Sequence, residues 1–284
     1  MAILVLNWNG WKETAQCLQS LQKLDHQDCR IIVIDNGSTD GSEKALRELF
    51  PQLTVLQTGS NLGFAGGMNQ GIQHALSLPV DHIWLLNNDI EVKLDCLSKM
   101  LLEMADPTVG AVGCVIHDLD SRLTLLAWGG GIQRSRFSHP THLTRPGLPD
   151  YLTGASLLLR CSAARAVGLL DDRFFMYYED FDYCLRLRAS GYRLAVAPDA
   201  TVWHREKARK DITGRLSWLD WGGLRIVAKH RRWPRTLAAT ITIARVANRL
   251  MRGEFRRARI AVSVWRRRDW LHPSAAPDPG QSKT

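Results

Sequence analysis

The six cysteines of this 284-residue chain, Cys17, Cys29, Cys96, Cys114, Cys161 and Cys184, never stand in CxxC spacing. That scatter excludes a zinc ribbon or a disulfide framework and suits reduced core residues, as in the cytoplasm. No uncharged apolar run reaches the ~18 residues a membrane-spanning helix needs. Met1 leads straight into an apolar strand pattern, so no secretory signal peptide is expected. Internal repeats are lacking too, so a solenoid is not expected. What remains is an ordinary globular composition, 45% hydrophobic, long enough to bury a substantial core as one large domain or a domain with an extension.

Charge is unevenly placed. Residues 205 to 272 hold 19 Lys and Arg against 5 Asp and Glu, whereas residues 1 to 204 hold 17 against 22. Within the basic end, Arg252, Arg256, Arg259 and Arg266 fall near one helical face, and Phe255, Ala258, Val262 and Trp265 on a neighbouring one. A basic helix with aromatic side chains on its apolar side suits an anionic membrane surface. A solvated helix packed on the domain and a nucleic-acid contact are the alternatives. Residues 273–284, rich in Pro, Ser and Ala, are expected to be disordered.

Three apolar runs end abruptly in polar groups. Ala2 to Leu6 ends at Asn7-Trp8-Asn9-Gly10, Ile31 to Ile34 at Asp35-Asn36-Gly37-Ser38-Thr39-Asp40-Gly41, and His82 to Leu86 at Asn87-Asn88-Asp89. Helical spacing follows the first two: Cys17, Leu18, Leu21 and Leu24, then Ala45, Leu46 and Leu49 before Phe50-Pro51. A short strand, Thr54 to Gln57, leads through the glycine-rich stretch Gly59 to Asn69 into another helix. Strands alternating with such helices predict an α/β fold with a mostly parallel sheet covered on both faces. In such sheets ligands bind beyond the carboxyl ends of the strands. Asp89 and its neighbours could there offer oxygens to Mg²⁺ or Mn²⁺, with substrate phosphates completing the shell; a polar Asn-Asp turn is the plain alternative.

Two later segments carry chemistry. Gly154 and Ala155, before the apolar run Leu157-Leu158-Leu159, permit close approach of a ligand to backbone, or plain packing. Phe174-Phe175-Met176-Tyr177-Tyr178 then delivers Glu179-Asp180-Phe181-Asp182. Asp182 suits a helix-capping role, while Glu179 and Asp180, adjacent behind an aromatic wall, are placed for one to act as general base with a raised pKa.

Taken in order, Asn7-Trp8-Asn9-Gly10, Asp35 to Gly41, Asn61-Leu62-Gly63-Phe64-Ala65-Gly66-Gly67-Met68-Asn69, Asn87-Asn88-Asp89, Thr153-Gly154-Ala155 and Glu179-Asp180-Phe181-Asp182 resemble family 2 glycosyltransferases of the rhamnosyltransferase-like branch, over about residues 1 to 205. The resemblance implies a GT-A, Rossmann-like nucleotide-binding domain over 1–205, and the charge and spacing read above give a basic amphipathic helical extension over 206–272. It implies inverting transfer of a sugar, rhamnose or another hexose, from a nucleotide-diphosphate donor with a divalent cation, Mg²⁺ or Mn²⁺. By the same resemblance Asp35 contacts the nucleobase with Asn7 at the pocket edge. Asn61, Gly63, Phe64, Ala65, Gly66 and Asn69 wrap the donor, Asn87 and Asn88 adjoin it, and Asp89 and His204 hold the metal. Gly154 and Ala155 lie where acceptor and donor meet, and Asp180 is the base beside Glu179. The glycines before Asn69 would let amides approach the diphosphate at a helix start.

Asn87 departs from the pattern, since many relatives carry an aspartate there. A neutral oxygen implies a metal held more by the donor than by the protein. The expected acceptor is a glycan or lipid-linked hydroxyl in cell-surface polysaccharide synthesis. The enzyme would then be cytoplasmic and peripheral at the inner face of the membrane, docked through its basic end, with no nucleic-acid partner. A catalytically lapsed GT-A-like scaffold whose basic end binds membrane or nucleic acid, and a nucleotidyltransferase, remain the alternatives.

Overall fold

Residues 1–133, 139–143, 145–205, 212–230 and 233–271 are described by the computed structural model. The tail expected to be disordered, 273–284, lies outside them, as do residues 206–211, 231, 232 and 272 of the expected extension.

The polar-ended apolar runs form strands. Along the chain come β1 (Ala2–Asn7), α1 (Trp11–Leu21), β2 (Arg30–Asp35), α2 (Ser42–Leu49), β3 (Thr54–Gln57), α3 (Gly63–Leu76) and β4 (His82–Asn87). Next follow β5 (Ile90–Val92), α4 (Cys96–Glu103), β6 (Val109–Asp118), β7 (Leu125–Trp128), β8 (Gly130–Gln133), β9 (His139–His142) and β10 (Ser156–Arg160). The chain continues with α5 (Cys161–Val167), α6 (Glu179–Ala189), β11 (Arg193–His204), α7 (Ile212–His230), α8 (Pro234–Met251) and α9 (Phe255–Arg267). A 3-10 turn, Asp269–Leu271, closes the described chain.

Nine of these strands form one sheet among the described residues, in the order β3-β2-β1-β4-β10-β6-β11-β5, with β7 on the β6 edge that β10 leaves free. The pairings β3-β2, β2-β1, β1-β4 and β6-β11 are parallel. Since β10 is antiparallel to both β4 and β6, six strands run one way and β10, β5 and β7 run the other. The mostly parallel sheet is therefore present in strand direction, but its continuity is broken by β10, which the local pattern did not announce: Leu157-Leu158-Leu159 reads the same in either direction.

Period-two alternation distributes the core over both faces. Ala2, Leu4, Ile83, Leu85, Leu157 and Leu159 point to the side covered by α3, α5 and α6, while Ile3, Val5, Trp84, Leu86 and Leu158 point to the side of α1, α2 and α4. The first face also receives Trp221, Leu224 and Val227 from α7, Ile241 from α8 and Val264 from α9. The C-terminal helices thus share the core of the sheet. The buried side of α9 is Ala258, Ala261 and Val264, so the apolar face is rotated from the one its spacing suggested and leaves Phe255 exposed.

Polar contacts tie these helices down. Asp182 does not cap its own helix; its fully buried carboxylate accepts from Lys229 Nζ at 2.9 Å, His230 Nε2 at 2.7 Å and Arg186 Nε at 2.9 Å. Asp220 of α7 accepts from Arg245 at 3.1 Å and Arg249 at 2.7 Å, both on α8. Burial alone would raise the Asp182 carboxyl, yet His230, Lys229 and Arg186 hold it below the ordinary range.

Asp182→Ala should therefore cost about 3–5 kcal/mol, the scale for removing one side of a buried ion pair, seen as a lower urea midpoint. A depressed carboxyl contributes stability above the unfolded aspartate value of ~3.9 and loses it as pH falls from there through the folded value. The difference between wild type and variant should accordingly shrink in acid.

Candidate functional site

Strand order turns around between β1 and β4, because β2 and β3 lie to one side of β1 and the rest of the sheet to the other. Such a reversal opens a crevice at the carboxyl ends of the strands. Asn7, Asp35 and Asn87 are the last residues of β1, β2 and β4, and register places Asn7 opposite Asp35 and Leu6 opposite Asn87. The three polar endings singled out in the sequence therefore stand side by side on one edge.

On the β2 side, Asp35 is wholly buried. Its Oδ2 accepts from Asn7 Nδ2 at 2.7 Å, and its Oδ1 from the Ser38 amide and Gln57 Nε2, both at 2.9 Å. A carboxylate has about four acceptor positions, so one remains on Oδ2. Thr14 donates to Asn7 Oδ1 at 2.8 Å and accepts from Asn88 Nδ2 at 3.0 Å, linking the ends of β1 and β4 through the first turn of α1. Trp8 stands half exposed at the rim.

The glycine-rich stretch behaves differently from expectation. Its second half, Gly63 to Asn69, is the start of α3. The amides of Leu62, Gly63 and Phe64 are already engaged by Asn36 Oδ1 at 3.1 Å, Asn61 Oδ1 at 2.9 Å and the Phe175 carbonyl at 2.7 Å. They are not the open cradle that the glycines suggested. Gly63 has φ +73°, and a Cβ there would lie 2.3 Å from the Phe175 oxygen, so close packing accounts for it. Ala65 is buried, and a Cβ on Gly66 would lie 2.8 Å from Leu62 Cβ. Asn69 is corrected most plainly: its side chain donates Nδ2 to the Leu170 carbonyl at 2.9 Å and accepts the Leu170 amide on Oδ1 at 3.0 Å, which anchors the loop between α5 and α6.

Asp89 and His204 meet across β5 and β11, which pair Ile90 with His204. Asp89 Oδ1 lies 3.1 Å from His204 Nε2, and the side-chain Nδ2 of Asn87 3.4 Å from the same atom. Two adjacent ligands of an octahedral cation with bonds of ~2.1 Å stand about 3 Å apart, so the pair has the separation and the donor types for one. Among the described residues no group of three His, Cys, Asp or Glu side chains could hold a metal. A cation here would need its remaining ligands from substrate and water.

Gly154 and Ala155 connect this pair to the acids of α6. The Asn87 amide donates to the Ala155 carbonyl at 3.0 Å, and the Gly154 amide donates to Asp180 Oδ2 at 2.9 Å. A Cβ on Gly154 would meet Phe64 at 3.2 Å and Asp180 Cβ at 3.5 Å, so this turn runs between the start of α3 and the carboxylate. Burial raises the Asp180 carboxyl, opposed by the amides of Gly154 and Phe181 and by the charge of His142. Glu179 is more deeply buried, and its Oε2 has no hydrogen-bond partner among the described residues. Burial first, and then the Asp180 charge, hold its carboxyl well above the usual range. Tyr177 and Tyr178, with φ +70° and +73°, precede the two acids in the left-handed region. Such strained positions persist only where surroundings hold them; here Gly222 of α7 lets Tyr178 pack so closely that a Cβ would stand 2.6 Å from its ring.

Thr14, Gln57 and His142 were not foreseen, nor were the contacts that Asn36 and Phe175 make with the amides of the glycine-rich stretch. Each acts through a partner far along the chain, and none stands in a pattern that announces the contact. For Glu179, a carboxyl raised in the fold penalises the folded state increasingly as pH climbs above the unfolded value. Glu179→Gln should therefore raise the thermal midpoint, with a gain that grows as pH rises above the unfolded glutamate value of ~4.3; a gain independent of pH would remove the buried charge as its cause.

The glycosyl transferase family 2 model matches residues 2–165. An N-acetylglucosaminyl-diphospho-decaprenol L-rhamnosyltransferase of Mycobacterium tuberculosis is 28% identical over 234 residues, 72% of this chain and 76% of that protein. Galactofuranosyltransferase GlfT1 of the same organism is 30% identical over 208 residues, 68% of this chain and 66% of that one. Among solved structures, the mannosyltransferase PcManGT of Pyrobaculum calidifontis, in complex with GDP-Man and Mn²⁺, superposes with a TM-score of 0.62 at 17% identity, covering 99% of this chain and 77% of its own. The sheet with its reversed strand order is thus the GT-A fold, and the chain belongs to glycosyltransferase family 2.

Proposed function

We propose that this glycosyltransferase moves rhamnose or another hexose, with inversion, from a nucleotide-diphosphate sugar to a hydroxyl of a glycan or lipid-linked acceptor in cell-surface polysaccharide synthesis. The observation that carries this is the turn at Gly154 and Ala155. One amide in it holds Asp180, and the next carbonyl holds Asn87 beside the Asp89–His204 pair. A candidate base and candidate cation ligands are thereby separated by a single stretch of backbone.

In this proposal the acceptor oxygen attacks the anomeric carbon as the bond to the diphosphate breaks. Asp180 takes the acceptor's proton, and the nucleoside diphosphate leaves on the opposite face. The raised carboxyl of Asp180 makes it a stronger base at neutral pH than an exposed aspartate. A Mg²⁺ or Mn²⁺ ion held by Asp89 and His204 would offset charge developing on the leaving diphosphate. Asp35 and Asn7 would meet the nucleobase, and Asn61, Asn87 and Asn88 would shape the donor cleft. The relative named as an N-acetylglucosaminyl-diphospho-decaprenol L-rhamnosyltransferase supports a rhamnosyl donor and a lipid-diphosphate acceptor, which suits a peripheral enzyme at the cytoplasmic membrane face. No helix among the described residues is long and apolar enough to cross a membrane.

Two substitutions test the assignment. Asp180→Asn should keep donor binding yet lower turnover about 100-fold or more, the scale of general-base catalysis; turnover near wild type would take the proton-accepting role away from Asp180. Because the protein offers few ligands of its own, calorimetry should find weak Mn²⁺ binding that strengthens with dTDP or UDP present. Asp89→Ala should abolish that strengthening, and an unchanged titration would remove Asp89 from the metal site.

A further inference from the structure

The α8–α9 hairpin carries a charge and an apolar surface that the donor site does not use. Between Pro234 and Arg267 stand nine arginines and one acid, Glu254. Arg245 and Arg249 are bound to Asp220, Arg257 to Glu254, and Arg267 lies 3.7 Å from Asp269. Arg252, Arg256, Arg259 and Arg266 form no ion pair among the described residues. Uncompensated guanidinium groups concentrated on one element call for an anionic partner.

Apolar side chains are exposed in the same place. The tip of the hairpin, around Gly253, presents Leu250 46%, Met251 80% and Phe255 63% exposed. Behind it a groove of about 700 Å³ runs between the two helices, floored by Val246, Leu250, Phe255 and Val262 and edged by Arg259 and Arg266. Leu250 and Phe255 belong to both tip and groove, so one continuous apolar surface lies beside the free arginines. A soluble face of this composition would be expected to bury Phe255 and Met251 or pair the arginines.

We infer that the α8–α9 hairpin docks on an anionic phospholipid bilayer. Leu250, Met251 and Phe255 enter the acyl region, the groove receives part of an acyl chain, and Arg252, Arg256, Arg259 and Arg266 meet lipid phosphates. The choice of a bilayer over nucleic acid follows from the apolar tip, since a phosphate backbone offers nothing to Met251 or Leu250. The spread of four free arginines over the hairpin favours several headgroups over one ligand. This inference rests on the proposed lipid-linked acceptor, which would place the donor site close to the leaflet that carries it.

The test uses the full chain in flotation with vesicles of phosphatidylcholine alone or mixed with phosphatidylglycerol. Wild type should float with the mixed vesicles and stay behind with the neutral ones. Met251→Asp with Phe255→Asp, and separately Arg259→Glu with Arg266→Glu, should each weaken flotation about tenfold or more while leaving thermal melting and metal-dependent donor hydrolysis as in wild type. Wild-type flotation of both variants would overturn the inference. So would equal flotation on neutral vesicles, or substitutions that instead dissolve a dimer in light scattering or a duplex-DNA complex in a mobility shift. Retained donor hydrolysis without flotation sinks this inference alone, whereas flotation without hydrolysis sinks the sugar-transfer proposal alone.

Discussion

The hydrogen bond from the Asn87 amide to the Ala155 carbonyl is the join on which the candidate site depends. Asn87 ends a strand of the parallel half of the sheet, and Ala155 immediately precedes β10, the strand that runs against its neighbours. Pairing β10 with β4 puts the turn before β10 at the carboxyl end of β4, because antiparallel neighbours bring the start of one to the end of the other. Had β10 run parallel, Gly154 and Ala155 would lie at the opposite edge, and Asp180 would have lost the Gly154 amide.

Around that join the electrostatics are arranged in opposite senses. Asp182, two residues beyond the candidate base, is surrounded by Lys229, His230 and Arg186 and is held ionised. Glu179, one residue before it, is buried with its Oε2 lacking a hydrogen-bond partner among the described residues, and burial pushes its carboxyl well above the usual range. Asp180 lies between these extremes, partly screened by two backbone amides but desolvated enough to be raised. Three acids within four residues therefore have three different environments, set by which face of α6 each occupies and by what packs there. The ionised one also fastens α7 to α6, so the C-terminal helices help hold the strained Tyr177–Tyr178 segment that aims Glu179 and Asp180.

Much of the fold was legible because strand and helix periods are local properties. Apolar runs at 2–6, 31–34 and 82–86 became β1, β2 and β4, and the alternation within them decided which side chains face which helical layer. The convergence of Asn7, Asp35 and Asn87 also followed, since parallel strands joined by helices bring their carboxyl ends to one edge. The glycine-rich stretch was misleading because glycine permits close approach of any kind; the residue approached at Gly63 is Phe175, not a ligand. Asn69 likewise could not be separated from a donor-binding asparagine until Leu170, 101 residues later, was seen on its amide.

Local chemistry in the chain settled the α/β class, the polar strand endings, the adjacent acids and the basic, aromatic end, because each depends on residues within a few positions of one another. Tertiary structure alone decided the reversed β10, the 3.1 Å approach of Asp89 to His204, the cationic partners that separate Asp182 from Glu179, and the exposed tip at Met251 and Phe255. These rest on contacts between distant segments, whose pairing and register no short stretch of sequence encodes.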